Sequence, residues 1–371
     1  MPDGWNRQLV IWNHGFSLSP VRPVSASDLG PLAQLQLAQG YAVVASSYRL
    51  SGWALFKTND DLQTLYDTFV ENFGAPDQVI VTGASLGGIV TAAALEGAQL
   101  GNVTGALSLC GALAGSRNWD GALDVRLGYD AICSGVPGAF LPGGAEGLPE
   151  GSTLTSTQMA LAVHACFGIL APPAGRTEPQ RQRLAAFLGL TQLPENFVLT
   201  VMGYATFAMS DLVHDDAKLK GRIGLGNENV LYGEPFDALI ERVTPHPGAA
   251  ERMAGNYTPE GTVGAAKIVS LHTDKDGLVI VENESEYASV VPPGNLTVAV
   301  AVEAVPSHCG FSGGEIAASW QALRGWLAGG PQPDAASIQA TCLAVAPQFG
   351  GPCRIDPAFV IPDMDSRIRP R

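Results

Sequence analysis

Four short segments hold residues whose types and spacing could do covalent chemistry. Residues 83–87 read Gly-Ala-Ser-Leu-Gly, directly after the apolar run Val79-Ile80-Val81 and directly before the helix-forming run 89–96. A Gly-x-Ser-x-Gly between strand and helix is a nucleophile elbow, with the serine on a turn too tight for bulky neighbours. Ser85 is therefore the candidate nucleophile. A serine hydroxyl is weak and needs a base, an acid that orients the base, and donors for the developing oxyanion. His308 lies between an apolar run (296–302) and an amphipathic one (314–327), where a base stands in the chain order Ser, acid, His. The acid is expected within His272-Thr273-Asp274-Lys275-Asp276-Gly277-Leu278-Val279. Asp276 is preferred, because an Asp-Gly turn followed by Leu278-Val279 fixes that carboxylate against the sheet edge. Asp274 reads as a capping or solvated turn residue, and Asp120 and Asp124 are third choices.

His14-Gly15-Phe16 ends the first apolar run. Its histidine falls in the wrong chain order for the base. The loop is read instead as the oxyanion site: backbone N–H groups of Gly15 or Phe16, with that of Leu86, each donor worth about 3 kcal/mol. His272 reads as a hydrogen-bonded structural residue. His214 with Asp211, Asp215 and Asp216 reads as a solvated helix end rather than a metal cluster.

These residues must be held by alternating elements. Strands are expected at 8–13, 41–48, 78–82, 103–109, 266–272 and 296–302, with helices at 27–38, 60–73, 89–96, 282–290 and 314–327. The strands are continuous apolar runs, the pattern of a parallel sheet covered on both faces. Sites in such sheets form at the carboxyl ends of strands. The expected fold class is α/β, a mostly parallel doubly wound sheet. Between 114 and 263 the rhythm gives way to apolar helical runs (156–170, 181–190, 196–212). The expected organisation is a catalytic core at 1–113 and 264–330, a mainly helical lid at 114–263, and a Pro-rich wrap at 331–371 with seven prolines.

The bulk numbers exclude several classes. The 371 residues carry a net charge of −14, which argues against nucleic acid or an anionic membrane surface as partner. No run approaches the ~18 consecutive apolar residues of a membrane span. No Gly-x-Gly-x-x-Gly follows the first strand and no P-loop is present, so no nucleotide cofactor is expected, and no metal site either. The six cysteines are an even set, and Cys342 and Cys353 are expected to pair within the Pro/Gly-rich tail. The start Met1-Pro2-Asp3-Gly4-Trp5 does not read as a signal peptide. The cysteines suggest a secreted or periplasmic protein whose leader is absent from this chain, with a cytoplasmic enzyme as the alternative.

In their order along the chain, the His14-Gly15-Phe16 loop, the Gly83–Gly87 elbow, the Asp276-Gly277-Leu278-Val279 turn and His308 resemble the α/β-hydrolase superfamily. The resemblance covers residues 8–329. It implies an eight-stranded, mostly parallel sheet and acyl transfer through a covalent acyl-serine, although the residues ahead of Gln8 are too few for two further strands. Tannase-like and feruloyl-esterase-like members bridge a Cys before the serine to a Cys after the histidine. Here Ala84 precedes Ser85, so Cys309 is free or pairs elsewhere. The expected function is a cofactor-independent serine esterase for hydrophobic or aryl acyl groups or ester oligomers. Alternatives are a peptidase or amidase, anchored by Arg117, Arg126 or Arg222, and a non-catalytic hydrolase-like binding protein. Dehalogenase or epoxide-hydrolase chemistry would need an aspartate where Ser85 stands.

Overall fold

A computed structural model describes residues 1–21 and 29–371. The chain runs β1 (Gln8–Asn13), α1 (Pro31–Ala38), β2 (Ala42–Ala45), α2 (Thr58–Phe73), β3 (Gln78–Ala84), α3 (Leu86–Gly97) and β4 (Val103–Leu109). It then enters α4 (Arg117–Ile132), α5 (Ser156–Phe167), α6 (Glu178–Thr191), α7 (Val198–Gly203), α8 (Met209–His214), α9 (Phe236–Leu239) and α10 (Pro247–Ala254). It returns through β5 (Lys267–Thr273), α11 (Asn283–Val290), β6 (Leu296–Ala301), α12 (Gly313–Leu327) and α13 (Ala335–Phe349). The start of the helix expected at 27–38 lies partly outside the described residues.

Two compact units result: Met1–Gly115 with Pro259–Asp363, and Ser116–Thr258 with Met364–Arg371. The first is an α/β unit whose six strands follow the order β2-β1-β3-β4-β5-β6, every pair parallel. The eight strands implied by the resemblance are six among the described residues. The strand order reverses between β1 and β3, the place where ligands bind in open α/β sheets. Apolar runs become strands here because both faces are covered: Leu9, Val10 and Ile11 of β1 and Val79, Ile80 and Val81 of β3 are all fully buried. Trp320 of α12 is the largest fully buried side chain, in a core with Leu107, Val269, Leu271 and Ala299.

The tail does more than wrap the surface. Ile338, Cys342 and Ile355 are buried in that same core, and Ile355 bridges Ala301 at the end of β6. Cys342 is bonded to Cys353.

The second unit is helical, with Cys133 bonded to Cys166 between α4 and α5. The stretch Glu195–His214 is 20 residues long with mean hydropathy 1.3, long and apolar enough to cross a membrane. More than half of it is buried inside the protein, through Val198, Met202, Ala205, Met209 and Leu212 among others, as in the core helix of a globular unit. The sequence reading missed α4 altogether, because Asp120, Arg126 and Asp130 interrupt its apolar pattern. Arg126 is fully buried, with Nε 3.0 Å from Asp130 and Nη2 donating to the carbonyls of Leu141 and Pro142.

Candidate active site

Ser85 sits between β3 and α3 at φ 58°, ψ −123°, a conformation unfavourable for any residue with a Cβ. Its surroundings impose that conformation. The Ser85 N–H donates to Leu109 O at 2.9 Å, and its own carbonyl accepts from Gly88 N at 2.9 Å. A Cβ on Gly83 would stand 2.2 Å from Gly87 O, and one on Gly87 would stand 2.0 Å from Asn13 O. Both elbow glycines are therefore required by close approach of backbone, and the serine is pushed out from the strand end.

The structure brings Ser85, His308 and Asp276 together. His308 Nε2 lies 2.8 Å from Ser85 Oγ, and His308 Nδ1 lies 2.6 Å from Asp276 Oδ2. A carboxylate only accepts, so Nδ1–H donates to Asp276 and Nε2 is left as the acceptor facing the serine hydroxyl. Asp276 is 2% exposed, and its Oδ1 accepts from Leu278 N at 2.9 Å and Val279 N at 3.0 Å. The Asp-Gly turn thus fixes the carboxylate through the next two amides. Asp274 is turned to another task, accepting from Glu303 N at 2.7 Å. Asp120 and Asp124 belong to the second unit, where both bind Arg371.

Pairing of Asn13 with Gly83 lays the His14-Gly15 loop beside the elbow. A Cβ on Gly15 would stand 3.6 Å from both Ala84 O and Ser85 Cβ. Leu86 opens α3, so its N–H has no acceptor within the helix. Phe16 follows Gly15 and is partly buried. His14 donates from Nδ1 to Gly15 O at 2.7 Å and packs on Tyr48, ring centroids 4.1 Å apart. Tyr48 is itself buried, which pushes its phenol well above the ordinary tyrosine range.

Behind Asp276 lies a buried pair. His272 is fully buried, with Nε2 2.8 Å from Val279 O and Nδ1 2.8 Å from Glu284 Oε1, which also accepts from Ser270 Oγ at 2.7 Å. A carbonyl only accepts, so Nε2 donates to Val279, and Nδ1 faces a carboxylate. Burial works against a charge on His272, but the Glu284 hydrogen bond and the charges of Glu284 and Asp276 outweigh it, raising its pKa above the ordinary histidine value.

Cys309 is bonded to Cys110 at the end of β4, a partner the sequence reading left open. Both stand at carboxyl ends of strand-loop segments, a shared position that could have suggested the pairing. These sulfurs lie close to His308 in a cluster of metal-site size, but they are bonded to each other and offer no thiolate. The His214 group is not a solvated helix end. Asp211 and Asp215 both face the fully buried Lys218, Asp215 at 3.2 Å. Of the arginines read as possible chain anchors, Arg117 binds Asp365 at 2.6 Å and Arg126 is buried, while Arg222 lies 3.2 Å from His246 Nε2.

An all-parallel sheet in the order β2-β1-β3-β4-β5-β6, an elbow after β3, and an acid and a histidine following β5 and β6 together define an α/β-hydrolase fold. No protein-family model and no curated protein matches the sequence. Among solved structures, the chain is similar to Candida antarctica lipase A in its closed state, at 10% identity over 99% of this chain and 78% of that one, TM-score 0.45. It is similar to a Pyrococcus furiosus esterase at 13% identity over 83% and 76%, TM-score 0.35. A puromycin-hydrolyzing peptidase of Mycobacterium tuberculosis is similar at 13% identity over 88% of this chain and 34% of that one, TM-score 0.41.

Proposed function

We propose that the protein is a cofactor-independent serine hydrolase that cleaves carboxylic esters. The observation that carries this reading is the unbroken hydrogen-bonded chain Ser85 Oγ, His308 Nε2, His308 Nδ1, Asp276 Oδ2, with Ser85 on a strained turn. His308 takes the Ser85 proton as Oγ attacks the ester carbonyl. The N–H groups of Leu86 and of Gly15 or Phe16 receive the oxyanion, each donor worth about 3 kcal/mol. The tetrahedral intermediate collapses, His308 returns the proton to the leaving alcohol, and the acyl group stays on Ser85. Water then attacks the acyl-serine with the same histidine as base. Asp276 holds the imidazole in the required tautomer and stabilises its charged form.

Of the three candidate anchors for a peptide terminus, Arg117 and Arg126 are engaged in ion pairs, which leaves Arg222 beside His246 for the amide reading and makes the ester–amide comparison below the deciding measurement. Hydrophobic or aryl acyl groups, or ester oligomers, are the proposed substrate class, and the acyl length preferred in the series below tests it. Three disulfides favour an oxidising compartment.

The test is hydrolysis of p-nitrophenyl esters from acetyl to palmitoyl, with Ser85→Ala alongside and an amide of the preferred acyl group for comparison. Esterase activity that falls by about 10⁴-fold or more in the variant is expected. Activity retained by Ser85→Ala would reject the nucleophile. Faster turnover of the amide would move the reading to a peptidase or amidase, and no turnover by folded protein would move it to a binding protein.

A further inference from the structure

The C-terminal segment lies outside the residues that carry the hydrolase resemblance, yet it grips the loop that presents His308. On the near side of the loop, Ser307 N donates to Glu303 Oε2 at 3.1 Å and Ser307 Oγ donates to Glu303 Oε1. On the far side, Gly310 O accepts from Arg354 Nη2 at 2.7 Å. The same guanidinium binds Glu315 in a fork, Nε to Oε1 at 3.1 Å and Nη2 to Oε2 at 2.8 Å, and its Nη1 lies 3.5 Å from Glu303 Oε1. One arginine therefore ties both ends of the 307–310 turn to the start of α12.

Arg354 is itself held in place. Its N–H donates to Glu315 Oε1 at 2.8 Å, and its carbonyl accepts from Val302 N at 2.9 Å. The Cys342–Cys353 disulfide stands immediately before it, and Gln339 brackets it by bonding Cys353 O and Ile355 N. Glu315 is fully buried and Glu303 is 3% exposed, so Arg354 is the cation facing two buried carboxylates. The fit is close. A Cβ on Gly310 would stand 1.8 Å from Ser307 Oγ and 2.4 Å from Glu303 Oε1.

We propose that Arg354 is a positioning residue for His308, so that the tail is a working part of the site. The inference rests on the reading of Ser85, His308 and Asp276 given above. A misplacement of about 1 Å at a reacting group can cost on the order of 10²-fold in rate. A planar, bidentate fork is what this geometry uses, and a lysine cannot reproduce it.

The experiment is steady-state kinetics on the preferred ester for wild type, Arg354→Lys and Arg354→Ala, with thermal unfolding of each and Ser85→Ala as reference. Arg354→Lys is expected to lose about tenfold in kcat with KM within about twofold, and Arg354→Ala about 10²-fold. Millimolar guanidinium is expected to restore part of the Arg354→Ala loss and none of the Ser85→Ala loss. A folded Arg354→Ala protein with wild-type kcat would overturn the proposal, as would a loss confined to KM. If Arg354→Ala does not fold, Arg354→Lys decides, and a wild-type kcat there overturns it. Esterase activity that survives Ser85→Ala would overturn the underlying reading, a failure distinct from any result at Arg354.

Discussion

The elbow that carries Ser85 and the loop that carries His308 present their side chains by different physical means. Ser85 is placed by backbone: a strained turn, two glycines without room for a Cβ, and backbone hydrogen bonds to Leu109 and from Gly88. His308 is placed by side chains that converge from distant parts of the chain: Asp276, Glu303, Arg354, and Cys110 through Cys309. A backbone device is written in a few consecutive residues and tolerates almost no substitution. A side-chain device is spread along the chain, and its members fail one at a time.

The comparison breaks most readily at the elbow. Gly87→Ala places a Cβ 2.0 Å from Asn13 O and 2.9 Å from His14 O, both backbone atoms that cannot swing aside. The expected outcome is a loss of about 3 kcal/mol in chemical denaturation, together with loss of esterase activity. A stable, active Gly87→Ala protein would mean that the elbow is not held by backbone contact.

Next in size is the buried pair behind the acid. In Glu284→Gln, His272 keeps its bond to Val279 O and Asp276 at 4.0 Å but loses the nearer of its two buried counter-charges, at an expected cost of about 3 kcal/mol. The sign of the pH dependence follows from the raised pKa of His272. Stability from a raised histidine is fully present below its unfolded value of about 6.5 and is lost as pH rises through the higher folded value. The gap between wild type and Glu284→Gln is therefore widest at or below pH 6.5 and narrows on the alkaline side, read by denaturant titration across pH. A gap that widened with pH would show His272 to be neutral in the fold.

This contrast also explains what could be read in the sequence. Gly83, Ser85 and Gly87 identify the elbow because backbone crowding leaves a local signature, and the Asp276-Gly277 turn is legible for the same reason. The parallel sheet was visible in the continuous apolar runs. Arg354 and Glu303 left no trace, since a long-range fork between a tail arginine and two buried carboxylates has no characteristic spacing. The helix α4 was missed because Arg126 is polar in sequence and its burial against Asp130 and the carbonyls of Leu141 and Pro142 exists only in three dimensions. Cys110 gave half a signal: its existence and parity were plain, but its partner is 199 residues away.

The smallest expected effect falls on that disulfide. Cys309 follows His308 directly, with Sγ 3.5 Å from His308 Nε2, and the bond to Cys110 ties the His308 loop to the end of β4. If side chains share the work of placing His308, removing one tie leaves Glu303, Arg354 and Asp276 in position. The double variant Cys110→Ser, Cys309→Ser is then expected to lose no more than about tenfold in kcat with KM little changed, while its thermal midpoint drops because a long loop is no longer closed. A kcat loss as deep as that of Ser85→Ala would show that one covalent tie places the base. In that case the His308 loop would depend on a single local device, as the elbow does, and the division between backbone and distributed control would fail.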